Sequence, residues 1–284
     1  MHVSMATSPA EAGQPNQDFT GAVPGAAVLL DGAGITGTES ICCHGVAWYT
    51  HRLGGALLGR LSRDDGRDLA AILASAIGEI AADHRATCDI TNPSSPQATV
   101  LIARARAGRL DYLLLADSFF VLDQVHGGPQ VITDEREVTT RRVCSAPLDG
   151  IARGTPDYDR IRESCIQELR GRRNQHGGYW IAKDDPRAAA EAVTGRRMLH
   201  DLDSAALLSN GASRIVSPYG VTNWPGVLEL LRASGPAEII RRVRQAEARS
   251  PGSPHVAAPD DATVAHCLFP ERRGEQPDPA HGRS

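Results

Sequence analysis

Apolar positions along the chain fall into two periods. Residues 26–30 (Ala-Ala-Val-Leu-Leu) form an unbroken apolar run, the pattern of a strand buried on both faces. A second strand is predicted before it over 18–23, with Pro24-Gly25 as the turn between them. Residues 44–61 turn helical, weakened by Gly54-Gly55. In the next helix Leu69, Ile72, Leu73, Ala76, Ile77 and Ile80 make one apolar stripe at helical spacing. Asn92-Pro93-Ser94-Ser95-Pro96 breaks the chain. Strands follow at 99–106, 110–116, 119–122 and 130–133, and their short connections predict antiparallel pairing. A helix over 157–173 places Tyr158, Ile161, Cys165, Ile166 and Leu169 on one side. After Gly177-Gly178-Tyr179-Trp180, a distinctive run with no chemical role of its own, comes a strand at 205–209 ending at Asn210-Gly211. Gly235-Pro236 stops one helix and starts another. The second of these buries Ile239, Ile240 and Val243 and exposes Arg241, Arg242 and Arg244. A loop over 251–259 precedes a last strand over 262–269.

Segregated antiparallel strands and helical pairs define an α+β fold, with sheets stacked centrally and helices outside. One domain over 16–269 is expected, between a flexible N-terminus (1–15) and a disordered, proline-containing tail (270–284). A hydrophobic fraction of 41% supports a substantial core, and a net charge of −4 excludes a nucleic-acid-binding polycation. No run of 18 apolar residues is present to span a membrane, and residues 1–15 lack a secretory pattern. Lys183 is the sole lysine. The six cysteines (Cys42, Cys43, Cys88, Cys144, Cys165, Cys267) form no C-x-x-C pair and read as reduced core residues of a cytoplasmic protein. A zinc site on Cys42, Cys43, His44 and His51 is disfavoured for want of the usual ligand spacing.

Candidate chemistry lies where apolar runs end on acids. Asn16-Gln17-Asp18 opens the first predicted strand and Asp31-Gly32-Ala33-Gly34 closes the second. Ala116-Asp117-Ser118 separates two middle strands, Ser209-Asn210-Gly211 closes a later one, and Asp260-Asp261-Ala262-Thr263-Val264 opens the last. Each alone reads as a turn. Together they predict carboxylates converging on one edge of a sandwich. A buried carboxylate is costly unless a positive charge meets it, and a hard divalent cation prefers such oxygen ligands.

In order and context these five motifs resemble the protein phosphatase 2C family of metal-dependent serine/threonine phosphatases. Its members carry Asn-Glu-Asp, Asp-Gly-x-Gly, Gly-Asp-Ser, Ser-Asp-Gly and Asp-Asn-x-Thr-Val in that series. The resemblance spans about residues 16–269. It implies a four-layer α/β/β/α sandwich with two central antiparallel sheets, and hydrolysis of phosphoserine or phosphothreonine on protein substrates. Two Mg²⁺ or Mn²⁺ ions would be bound, one of them weakly. Asp31 would bridge both ions, the Gly32 carbonyl would bind one, and Asp260 would ligate a metal. Asp18 would hold metal-bound water, and Asp117 would match an acid linked to a third, weaker ion. Asp31 and Asp260 would thus carry the catalysis, with cations that acidify water and neutralise charge on the phosphate oxygens.

Departures from the family pattern bear on the activity. Asn210 stands where the family has a metal-ligand aspartate, so one negative charge is lost. Arg214 occupies a position often acidic, Gln17 replaces a glutamate, and Gly13 sits where bacterial members commonly place a phosphate-gripping arginine. The runner-up reading is therefore a catalytically impaired phosphatase-like module acting by protein binding. An amidohydrolase with an N-terminal nucleophile fails, because neither Met1 nor Met5 leads into a Thr, Ser or Cys beside a strand. Arg170, Arg172 and Arg173 end a helix and suit its macrodipole before any docking role.

Overall fold

The computed structural model describes residues 1–34, 41–249 and 258–270. Its strands are β1 (His2–Ser8), β2 (Phe19–Val23), β3 (Ala26–Ala33), β4 (Gln97–Arg106), β5 (Arg109–Leu115), β6 (Phe119–Gln124), β7 (Gln130–Ile132), β8 (Val193–Met198), β9 (Leu202–Leu208) and β10 (Ala262–Leu268). Its α-helices are α1 (Gly45–Leu61), α2 (Leu69–Arg85), α3 (Arg136–Ser145), α4 (Pro156–Gly171), α5 (Asn210–Ser213), α6 (Trp224–Ser234) and α7 (Pro236–Arg249).

Two five-stranded sheets run in the orders β1-β10-β9-β6-β7 and β2-β3-β4-β5-β8. Every pairing is antiparallel. The unbroken apolar runs have a physical cause: each central strand buries both faces. Along β3, Ala27 and Leu29 point between the sheets, while Val28 and Leu30 meet α1 and α2. Leu101 and Ala103 of β4 likewise face the other sheet, and Val100 and Ile102 face the helices. In the opposite sheet Phe120, Leu207 and Ala265 fill the central layer, and Val121, Ala206 and Val264 pack beneath α6 and α7. Burying one such leucine contributes about 1.5–3 kcal/mol. Helices therefore cover the outer face of each sheet, which gives the expected α+β four-layer order.

Two expectations about pairing and order are corrected. The strands 110–116 and 119–122 do not pair with each other: β5 and β6 lie in different sheets. Ala116 takes a left-handed φ of 68°, which turns the chain across the sandwich within three residues. The N-terminus, expected to be flexible, supplies β1, which pairs with β10 from His2–Leu268 to Ser8–Ala262. It was hidden because an edge strand with mostly exposed residues lacks an alternating pattern. Arg244, expected to be exposed, is half-buried and holds this strand's end, donating to the Ser8 and Pro9 carbonyls at 3.1 and 3.0 Å. The strand β8 and the helix α3 were not predicted. The loop over 251–259 is described only from residue 258, and beyond Pro270 the expected tail lies outside the described residues.

Lys183 is buried beneath α1 and α2. Its ammonium donates to the Ile90 carbonyl and to Asp184 Oδ1 (2.7 Å), and its own carbonyl accepts from the Tyr49 hydroxyl at 2.9 Å.

Candidate metal centre

Asp31 lies near the end of β3, where the strand leaves the core. Its amide donates to Thr99 Oγ1 (3.2 Å), and Thr99 is tied to the Ser118 hydroxyl at 2.6 Å. The β3–β4 ladder is thereby locked to the crossover that carries Asp117. The Asp31 Oδ2 accepts from the Asn210 amide at 2.7 Å, and Asn210 Nδ2 donates to Asp117 Oδ2 at 3.0 Å. Asp18, only 2% exposed, precedes β2 and is set by its own amide, which donates to Asn16 Oδ1 at 3.0 Å. All five acidic motifs thus converge at one edge of the sandwich, drawn from both sheets.

Electrostatics mark the crowding. Burial, then Asp18, Asp260 and Asp117, push the Asp31 carboxyl well above the usual carboxylate range. Burial raises Asp18 to about 7 against hydrogen bonds from Thr263 and Ser209, with Asp261 and Asp260 adding to the rise. Burial and Glu137 lift Asp117 to about 6, opposed by its backbone, Arg141 and Asn210. Asp260 is also raised by burial, partly offset by Arg214.

Glycine sets how closely these segments approach. A Cβ on Gly32 would stand 2.3 Å from the Gln17 carbonyl oxygen and 2.7 Å from Val46. On Gly211 it would stand 2.0 Å from the Asp261 carbonyl oxygen, so α5 and the segment entering β10 meet at backbone contact.

The donor set is all hard oxygen, and Asp18 Oδ2 is buried without a hydrogen-bond partner. Such a set suits a divalent cation next to Asp31, Asp18 and the Gly32 carbonyl. Toward Asp260 the chain brings its own cation. Arg214 Nη2 contacts Asp260 Oδ2 at 2.7 Å, and Nη1 donates to the Ala258 carbonyl at 2.6 Å.

Sequence reasoning missed Asp261, whose carboxylate takes the amides of Ala10 (2.7 Å) and Gln17 (2.6 Å) and so pins the N-terminal segment against β10. It also missed α3, which with the predicted α4 flanks the acids. A cleft there is lined by Gly34, Gln97, Arg141, Arg170, Arg173 and Tyr179. Arg173 is held by the Tyr179 hydroxyl (3.0 Å) and the Pro93 carbonyl, beyond the helix-end role first assigned to it. The disfavoured zinc quartet does not assemble as grouped, because His51 packs edge-on against Phe19 with ring centroids 5.6 Å apart.

A two-sheet sandwich with oxygen donors clustered at one edge suits a divalent-cation site. The family model of protein phosphatase 2C matches residues 6–155, over half of the 284-residue chain, and the chain belongs to that family. Solved structures agree in fold. The serine/threonine phosphatase PstP/Ppp of Mycobacterium tuberculosis superposes with a TM-score of 0.56 at 19% identity, covering 94% of this chain and 98% of that one. Stp1 of Staphylococcus aureus gives 0.58 at 16%, covering 94% of each chain. The catalytic domain of PstP in complex with two manganese ions gives 0.57 at 20%, covering 94% of this chain and 97% of that one. No curated protein sequence matches.

Proposed function

We propose that the protein is a phosphoprotein phosphatase that hydrolyses phosphoserine and phosphothreonine with water activated by Mg²⁺ or Mn²⁺. The observation that carries this reading is the convergence of Asp18, Asp31, Asp117 and Asp260, with one carboxylate oxygen of Asp18 left unpartnered. In this reading Asp31, the Gly32 carbonyl, Asp260 and the Asn210 amide oxygen hold the ions, and Asp117 belongs to a weaker outlying position. A divalent cation there acidifies water and offsets the charge that builds on phosphate oxygens. Asp18, whose Oδ2 has no hydrogen-bond partner in the fold, would hold metal-bound water. Arg141, Arg170 and Arg173 give the adjoining cleft a positive lining complementary to a phosphate dianion.

Free cysteines and net negative charge favour a cytoplasmic signalling role without nucleic acid as partner. Among the described residues no helix is long and apolar enough to cross a membrane. The binding-module alternative rests on Asn210, in place of a ligand aspartate, and on Gly13, in place of a phosphate-gripping arginine.

The test is turnover of p-nitrophenyl phosphate and of a phosphothreonine peptide with Mn²⁺. Activity is expected in the parent and lost in Asp31→Ala. Equal turnover in the two proteins, or none in the parent at saturating Mn²⁺, overturns the reading.

A further inference from the structure

A second group of metal-type ligands lies apart from the acids. We propose that Cys42, His44, His84 and Cys88 form a structural zinc centre that ties the start of α1 to the end of α2. The ligand atoms of these four side chains all lie within 4.8 Å of one another. Cys42 Sγ stands 2.9 Å from His84 Nε2, and Cys88 Sγ stands 3.3 Å from His44 Nδ1. A tetrahedral zinc with two sulfur and two nitrogen ligands separates those atoms by about 3.3–3.8 Å, given bonds of about 2.0–2.3 Å. The side chains therefore need only small adjustments to enclose an ion. Binding exchanges two thiol protons for one Zn²⁺ and leaves the centre neutral. Soft thiolates with imidazoles select zinc over the hard cations suited to the acid cluster.

The surroundings are built around the four side chains. Cys42 and His84 are 4% and 3% exposed, and the other two are half-buried. The Gly45 amide donates to Cys42 Sγ at 3.4 Å, a contact that stabilises a thiolate. Trp48 stacks on His44 with centroids 4.3 Å apart and lies 5.1 Å from the His84 ring. The Cys88 amide donates to the His84 carbonyl at 3.1 Å, turning Cys88 back toward the cluster, and the Asp89 amide donates to the Ile41 carbonyl at 2.9 Å. The two ligand pairs, 42/44 and 84/88, come from segments 40 residues apart, which is why the local spacing concealed them. Zinc here fixes the segment entering α1, and through Val46 the packing of Gly32.

The competing chemistry is a Cys43–Cys88 disulfide, since exposed Cys43 lies 3.7 Å from Cys88 Sγ. The test is zinc content of the full chain, purified under reducing conditions and dialysed, read by mass spectrometry of the metal. One zinc per chain is expected in the parent, in Cys43→Ser and in Asp31→Asn, which separates this centre from the acid cluster. Cys88→Ser should lose most of its zinc, and Cys88→His should recover it. The cobalt-substituted parent should show thiolate-to-metal charge transfer that Cys88→Ser lacks. Zinc equal in the parent and Cys88→Ser overturns the proposal. So does a parent that takes up no zinc on reloading, or that carries a Cys43–Cys88 disulfide and no metal under these conditions.

Discussion

Replacing Arg214 by glutamine should tighten divalent-cation binding. The guanidinium contacts Asp260 at 2.7 Å and is only 12% exposed, so it competes directly with any cation seeking that carboxylate. Two unit charges about 4 Å apart attract by about 4 kcal/mol at an effective dielectric of 20 and by about 1 kcal/mol in water. Asp260's side chain is 46% exposed, which places the interaction in the lower half of that range, about 1–2 kcal/mol. Each 1.4 kcal/mol is about tenfold in affinity, so Arg214→Gln should lower the Mn²⁺ dissociation constant by about 5–30-fold. Arg214→Lys keeps the charge and should stay within about twofold of the parent. The assay is calorimetric titration with Mn²⁺, which the soft ligands near His84 disfavour. An unchanged or weaker constant in folded Arg214→Gln would refute the claim that this ion pair opposes metal binding.

Other predictions follow from the same neighbourhood. Asn210→Asp should raise Mn²⁺ affinity, yet without metal it replaces a hydrogen bond to Asp117 by carboxylate repulsion; stability to denaturant in chelator should fall by about 1–3 kcal/mol and recover with Mn²⁺. Asp261→Ala removes an acceptor shared by the Ala10 and Gln17 amides, so it should cost about 2–4 kcal/mol and expose the segment between β1 and β2 to limited proteolysis. In chelator, stability should fall as pH rises from 5 to 8. Asp18 in the folded chain keeps its proton up to about 7, whereas an unfolded aspartate loses it near 3.8, so the folded state binds more protons across that window. The loss over that window is on the order of 2–3 kcal/mol, and melting temperatures flat or rising with pH in chelator would contradict it.

The elements legible in the sequence were those whose burial is patterned locally. The stripe from Leu69 to Ile80 reads as α2 because one helix face carries all its contacts, and the run 26–30 reads as β3 because both faces are covered. The strand β1 and helix α3 were illegible for the opposite reason: they hold few buried side chains, and only Thr140 and Cys144 are buried in α3. The acidic edge was legible through the serial order of its motifs. Asp261 was not, because its task is to receive amides of Ala10 and Gln17 from the far end of the chain. The Cys/His quartet was half visible: Cys42 and His44 stood out together, but their partners lie beyond a whole helix pair.

The buried Lys183 has a practical corollary. With its ammonium enclosed by Ile90 and Asp184, the folded domain offers amine-directed reagents no accessible lysine side chain. Acylating dyes should mark the α-amine but no side chain, and uptake at Lys183 would report that the layer beneath α1 and α2 had opened.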